Sequence, residues 1–252
     1  MTASSARKSS ACDTLAIPRP QELHLWLCRS DTHGSSDDFL RGILSRYVRV
    51  ERTGLRISRG PHGKPGLRSP AAPLGFNLSD GGDWRLLAVS GGAAVGVDLE
   101  YCDPRRDVLR LARRCFCPTE LAQLRTCRGA QRSGRFYDYW TLKEAHVKAF
   151  GGSLGQELEN ISFALHYPDD ASAGGGVGAI SCLAPALPTP AWYGLLRALD
   201  DYRIALCCLA PGDFAAGLRL FELPANGIPV EHAPALSAVS GPAEKTAGVS
   251  LW

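Results

Sequence analysis

Residues Phe136 to Gly152, reading Phe-Tyr-Asp-Tyr-Trp-Thr-Leu-Lys-Glu-Ala-His-Val-Lys-Ala-Phe-Gly-Gly, constrain this chain more than any other stretch. Apolar side chains at 136, 140, 147 and 150 recur at close to helical spacing, and the paired glycines supply a stop, which predicts a helix ending at Phe150. Side chains four apart share a helix face, so Trp140, Glu144 and Lys148 form one stripe. The ordinary reading is a surface ion pair worth roughly 0.2–0.5 kcal/mol. Lysine usage argues for more. Of 28 Lys plus Arg, lysine stands only at 8, 64, 143, 148 and 245, and the first and last lie in segments that read as tails. A chain that otherwise writes its positive charge as arginine keeps compact, strongly hydrated ammonium groups at three internal places, and such groups suit phosphate.

The remaining totals set limits. A length of 252 residues fits one large domain or two halves of roughly 110 residues each. A net charge of +3 fits a basic cleft for an anionic ligand and gives no case for a nucleic-acid-binding protein. Met1 to Ala11 is polar with no apolar core, and no run reaches the ~18–20 apolar residues of a membrane span, so a cytoplasmic protein without a membrane partner is expected. The nine cysteines include Cys115-Phe116-Cys117 and Cys207-Cys208, neither with metal or redox spacing, and read as free thiols.

Along the chain, residues 1–20 read as a disordered tail. Glu22 to Cys28 alternates as a strand, and Asp37 or Asp38 is placed to cap a helix running to Val48. Arg41, Arg46, Arg49 and Arg52 decorate that helix; most face solvent, and Arg46 is the candidate to reach a phosphate. Gly60 to Gly66 reads as a tight loop presenting Lys64. Residues 74–80 and 84–89 form a hairpin around Gly81-Gly82. A basic helix over 105–114 and a second opened by Pro118 precede a glycine-containing basic loop at 125–135. Strands follow at 161–166, 178–182, 192–198 and 202–209, with a short element at 218–223 and a flexible tail from 224 to 252. The division expected is an N-terminal half at 21–115 and a C-terminal half at 116–223.

Val95-Gly96-Val97-Asp98-Leu99-Glu100 is a strand in which Asp98 and Glu100 point to one face and the apolar residues to the other. Two carboxylates on one face repel and raise each other's pKa. Either the strand end faces solvent, or a divalent cation relieves them; oxygen ligands suit magnesium, with manganese as the alternative.

The chain resembles the Sfp-type 4′-phosphopantetheinyl transferase family. The likeness rests on Gly63-Lys64-Pro65, Phe76-Asn77-Leu78-Ser79, Gly96-Val97-Asp98-Leu99-Glu100, and Trp140-Thr141-Leu142-Lys143-Glu144-Ala145 with Lys148, in the family's order. Phe116 with Glu120 matches a weaker block. The resemblance implies an α+β fold, a pseudo-twofold pair of similar halves with coenzyme A in the cleft between them. It implies Mg²⁺-dependent transfer of the phosphopantetheine arm from CoA to a serine of an acyl, peptidyl or polyketide carrier protein. Asp98, Glu100 and Glu144 would hold the metal, and Lys148 would neutralise the transferred phosphate. Glu144 would help deprotonate the serine, while Lys64 and Ser79 would bind CoA phosphates. Two halves in one chain imply a monomer.

Three positions depart from the family pattern: Asp80 where histidine is usual, an Asp31–Asp38 segment with neither Lys nor Arg, and Ser153 for glycine. An aspartate repels phosphate unless it faces away or binds a cation. These departures motivate the alternative of a degenerate relative that binds CoA or a carrier protein without turnover. A metal-dependent nuclease commonly sets Glu and Lys two apart on a strand; here the spacing is four, in a helical pattern.

Overall fold

Both faces of the first strand, β1 (Leu23–Arg29), are buried, because it runs between two apolar layers rather than along the surface. Leu23, Leu25 and Leu27 enter one core while Trp26 and Cys28 enter another. The computed structural model describes residues 15–152, 161–167, 178–183 and 189–241.

After β1 come α1 (Ser36–Val48), a hairpin of β2 (Arg56–Arg59) and β3 (Pro65–Ser69), then β4 (Gly75–Gly81) and β5 (Trp84–Ser90). The same order then recurs. β6 (Ala94–Tyr101) leads into α2 (Val108–Cys115), α3 (Pro118–Thr126) and α4 (Gly129–Phe150), followed by β7 (Phe163–His166) with β8 (Gly178–Cys182) and by β9 (Trp192–Leu196) with β10 (Tyr202–Leu209). The chain then adds β11 (Leu218–Glu222), β12 (Val230–His232) and β13 (Leu236–Val239).

Besides the two-stranded β2-β3 sheet, the described residues form two larger sheets, ordered β12-β11-β1-β5-β4 and β6-β10-β9-β13-β8-β7. The antiparallel trio β1-β5-β4 in the first is matched by β6-β10-β9 in the second. This repeat is the expected pair of α+β halves. It runs over 23–90 and 94–209, so the strand carrying Asp98 and Glu100 opens the second copy instead of closing the first. The expected division at 115/116 therefore falls within one sheet's layer.

The layers stack as helix, sheet, sheet, helix. Phe39, Leu40, Ile43 and Leu44 of α1 cover the outer face of the first sheet. The inner faces meet through Leu25, Leu86 and Ala88 against Val97, Ile204 and Leu206. Phe136, Leu142 and Ala145 of α4 cover the outer face of the second sheet with Tyr193, Leu195 and Cys207. No helix among the described residues is long and apolar enough to cross a membrane, and the eight described cysteines are free.

Under α1, the buried His24 meets Tyr47 Oη through Nδ1 at 2.8 Å, while its Nε2 has no partner. Burial, helped by the Arg219 charge, pushes the His24 pKa down to about 4. The unfolded chain, with His near 6.5, binds the proton first, so this residue's contribution is complete above pH 6.5 and is lost as pH falls toward 4. The loss is expected to be on the order of 2–3 kcal/mol by pH 4. Urea midpoints measured from pH 7 to 4.5 should fall less steeply in His24→Phe; equal slopes would refute the assignment.

Four local readings are corrected. Residues 129–135 are helix, not loop: α4 begins seven residues before Phe136, and Gly134 sits where an added β-carbon would lie 2.9 Å from the Arg203 guanidinium. Tertiary contact there overrides the low helix propensity of glycine. Residues 224–241 are not a tail, since β12 edges the first sheet and β13 lies within the second with Ala238 buried. Neither Asp37 nor Asp38 caps α1; Ser35 does, in a reciprocal box with Asp38. Leu15 to Pro20 of the expected N-terminal tail pack onto the fold, with Leu15 against the α1 core and Pro18 buried. Residues 1–14, 242–252 and Ser153 lie outside the described residues.

Candidate active site

The edges of the two sheets meet at β4 and β6. These strands are joined by side chains rather than by a backbone ladder: Val97 N donates to Asn77 Oδ1 at 2.8 Å and Leu99 N to Ser79 Oγ at 3.2 Å. Asparagine and serine two apart on β4 thus satisfy alternate amides of a buried edge. Val95, Val97 and Leu99 fill the core between the sheets, as the alternation predicts, which turns Gly96, Asp98 and Glu100 toward α4. Gly96 is the contact point, where an added β-carbon would collide with the Ala145 carbonyl oxygen and lie 2.5 Å from Ala149 N.

That close crossing brings Lys148 to Asp98. Lys148 Nζ lies 2.6 Å from Asp98 Oδ1 and donates to Ser79 Oγ at 3.1 Å; Ser79 in turn donates to Asp98 Oδ1 at 3.1 Å. Lysine 148 therefore pairs across the helix–strand contact, not with Glu144 four residues earlier. Asp98 is 3% exposed, and its second oxygen, Oδ2, is buried with no partner. Glu144 is 6% exposed; burial foremost, then the Asp98 charge, raises its pKa to about 7 against the opposing pull of Lys148. Burial and Asp98 likewise raise Glu100, which accepts a hydrogen bond from Trp140 Nε1 at 3.3 Å. The stripe of Trp140, Glu144 and Lys148 thus faces the strand's two acids.

The chemistry of these groups fits a hard divalent cation: three carboxylates, one with an orphaned buried oxygen and two whose charged forms are disfavoured without a counter-charge. Among the described residues, no three acidic, histidine or cysteine side chains converge at ligand distances, and Lys148 occupies one Asp98 oxygen.

Beside this cluster lies a cleft of about 310 Å³ between the two copies. Ser36 and Asp37 of α1, Arg59, His62 and Lys64 of the hairpin, Asp80 of β4, Lys148 of α4 and Gly151 just past its end line it. The Gly60–Gly66 loop is the turn of the β2–β3 hairpin and the start of β3. Lys64 does reach the cleft, but its ammonium donates to Ala149 O at 2.8 Å and Val95 O at 3.1 Å, tying the hairpin to the end of α4. Burial lowers its pKa. Asp80 accepts from Arg85 Nε at 3.0 Å and from Ser36 Oγ at 2.9 Å, so an arginine already offsets its charge. Arg46 is not among the cleft residues; it lies over the Trp26 ring and donates to Gly227 O at 3.2 Å. Arg59 and His62 line the cleft without having been singled out in the sequence, although His62 shares the loop of Lys64. A second groove, lined by Arg106, Asp107, Arg110, Leu111, Phe136 and Trp140, opens beside Glu100.

A sequence model of the 4′-phosphopantetheinyl transferase superfamily matches residues 94–207, the span of the second copy. The 4′-phosphopantetheinyl transferase HetI of Nostoc sp. (strain PCC 7120) is 40% identical over 173 residues, 68% of this chain and 67% of that one. The putative 4′-phosphopantetheinyl transferase slr0495 of Synechocystis sp. is 37% identical over 138 residues, 52% of this chain and 56% of its own length. The 4′-phosphopantetheinyl transferase Sfp of Bacillus subtilis (strain 168) is 27% identical over 195 residues, 76% of this chain and 80% of that one. The chain belongs to the Sfp-type 4′-phosphopantetheinyl transferases, a family of enzymes.

Proposed function

We propose that this protein transfers the 4′-phosphopantetheine arm of coenzyme A to a serine of a carrier protein, with Mg²⁺ as the metal. The serine oxygen bonds to the phosphorus carrying pantetheine, the pyrophosphate linkage breaks, and adenosine 3′,5′-bisphosphate leaves. The serine proton passes to a base of the enzyme. The observation that carries this reading is Asp98, its unpartnered Oδ2 buried, paired with Lys148 beside the cleft that Lys148 lines, with the Glu144 carboxylate near enough for the Asp98 charge to raise its pKa.

Bound there by Asp98, Glu100 and Glu144, Mg²⁺ would neutralise charge on the pyrophosphate oxygens. Lys148 supplies a further positive charge where negative charge accumulates in phosphoryl transfer. Glu144 is the carboxylate we assign to take up the serine proton. Ser79 has its proton committed to Asp98 and acts by orienting Asp98 and Lys148. Arg59 and His62 are the cleft groups available to CoA phosphates, and Lys64, with two of its three N–H groups on carbonyls, has one left to offer. Arg46 takes no part. The groove lined by Arg106 and Arg110, whose two charges outweigh that of Asp107 in the same wall, suits an acceptor with an acidic face, arriving next to Glu100. Both walls of the cleft come from one chain, so a monomer suffices.

Mass spectrometry of carrier proteins incubated with the enzyme, CoA and Mg²⁺ should show addition of one phosphopantetheine, halted by chelation and restored by Mg²⁺ or Mn²⁺. CoA binding with no adduct on any acyl, peptidyl or polyketide carrier would instead establish the non-catalytic alternative.

A further inference from the structure

Glu120 and Lys143 form an ion pair at 2.9 Å in which both side chains are 0% exposed. Lys143 Nζ also donates to Ile161 O at 2.5 Å and Cys115 O at 3.3 Å and lies over the Phe116 ring. Glu120 Oε1 accepts from Phe163 N at 2.9 Å, and Oε2 from Cys117 N at 3.0 Å. One pair thereby fastens α4 to the end of α2, the start of α3 and the entry to β7.

Stability alone gives little reason for such a pair. Two charges removed from water cost several kcal/mol, and a well-packed apolar pair of similar volume commonly serves as well or better. What an apolar pair lacks is direction: burial is indifferent to angle, whereas hydrogen bonds weaken steeply off axis. Lys143 directly precedes Glu144, about 100° around the same helix. A roll of α4 by ~20° would move a carboxylate ~6 Å from the axis by ~2 Å, well beyond the ~0.5 Å tolerance of a working site.

We propose that Glu120 and Lys143 are positioning residues that fix the rotation of α4 and so hold Glu144 in register with Asp98. The proposal rests on the transferase reading for its rate prediction but not for its binding prediction. Neither residue lines the cleft, and the pair acts through Glu144, the neighbour of Lys143 on the helix.

The test uses the full chain with Glu120→Gln, Lys143→Met and the double variant, each checked for folding by circular dichroism and urea titration. Two quantities are read: Mn²⁺ affinity by electron paramagnetic resonance, and kcat with KM for CoA in carrier loading. The double variant, which removes both charges of the pair together, is expected to fold. It should bind Mn²⁺ ~10-fold or more weakly and lose ~10–100-fold in kcat while KM for CoA stays within about twofold. Glu120→Gln keeps its shape and an acceptor oxygen, so it gives the same two readouts if the double variant fails to fold. A folded variant with Mn²⁺ affinity and kcat both within twofold of the parent overturns the proposal. If the parent binds Mn²⁺ yet loads no carrier, the transferase reading fails and the Mn²⁺ comparison alone judges the pair.

Discussion

Lys148→Ala is expected to reduce carrier loading by 10²–10³-fold or more, the usual consequence of deleting one charge aimed at a reacting centre. It should also destabilise the fold. Asp98 is nearly inaccessible, and without the ammonium it keeps only the Ser79 hydroxyl and its backbone surroundings. Breaking a fully buried pair costs about 3–5 kcal/mol, but the Lys148 side chain is 27% exposed, so water screens part of the interaction and about 1–3 kcal/mol is the sounder figure.

The two losses can be separated. Asp98→Asn with Lys148→Met removes both charges, should recover much of the urea midpoint, and should leave loading as poor as in either single variant. Mg²⁺ offers a second discriminator. Raising its concentration supplies counter-charge to Asp98 and should stabilise Lys148→Ala more than the parent, without restoring the rate. Loading by Lys148→Ala within tenfold of the parent would remove the lysine from the mechanism.

Gly96→Ala carries the second large effect, and here the first loss is the fold. The new methyl group would land on the Ala145 carbonyl oxygen, which belongs to a helix backbone and cannot rotate aside as a side chain would. Overpacking in a core typically costs about 1–3 kcal/mol; a collision with main chain belongs at or beyond the upper end, about 3 kcal/mol or more. Relief requires α4 to lift from β6, which withdraws Lys148 and Glu144 from Asp98. Loading should therefore disappear even under conditions in which the variant is still folded. Gly66→Ala is the control: nothing lies within 4 Å of its added methyl group, and its urea midpoint should stay close to the parent's. A Gly96→Ala protein as stable as that control would show that the helix is not seated where its contacts place it.

Much of the site could be read from residue order, because it depends on two short-range periodicities. Alternation in a strand put Asp98 and Glu100 on one face, and a four-residue stride on a helix put Glu144 beside Lys148. The strands at 178–182 and 202–209 were legible for the same reason, each a β-rich run between clear breaks. What stayed hidden depends on partners distant along the chain. Nothing near Lys64 indicates that its ammonium would find carbonyls at 95 and 149, and nothing near Lys143 names Glu120 as its counter-charge. The lysine pattern pointed to three special positions; Lys148 pairs with Asp98 of the acidic cluster, while Lys64 and Lys143 tie helix α4 to its neighbours. Residues 129–135 and 224–241 were missed because glycine and proline suggest breaks, while tertiary pairing and packing decide otherwise.

The placement of β11 and β13 bears on how the protein is made. β11 lies parallel to β1, nearly two hundred residues earlier, and β13 slots between β8 and β9 in the other sheet. The first layer cannot close until His232 has left the ribosome, nor the second until Val239 has, so a nascent chain carrying every residue of the site would still present open sheet edges.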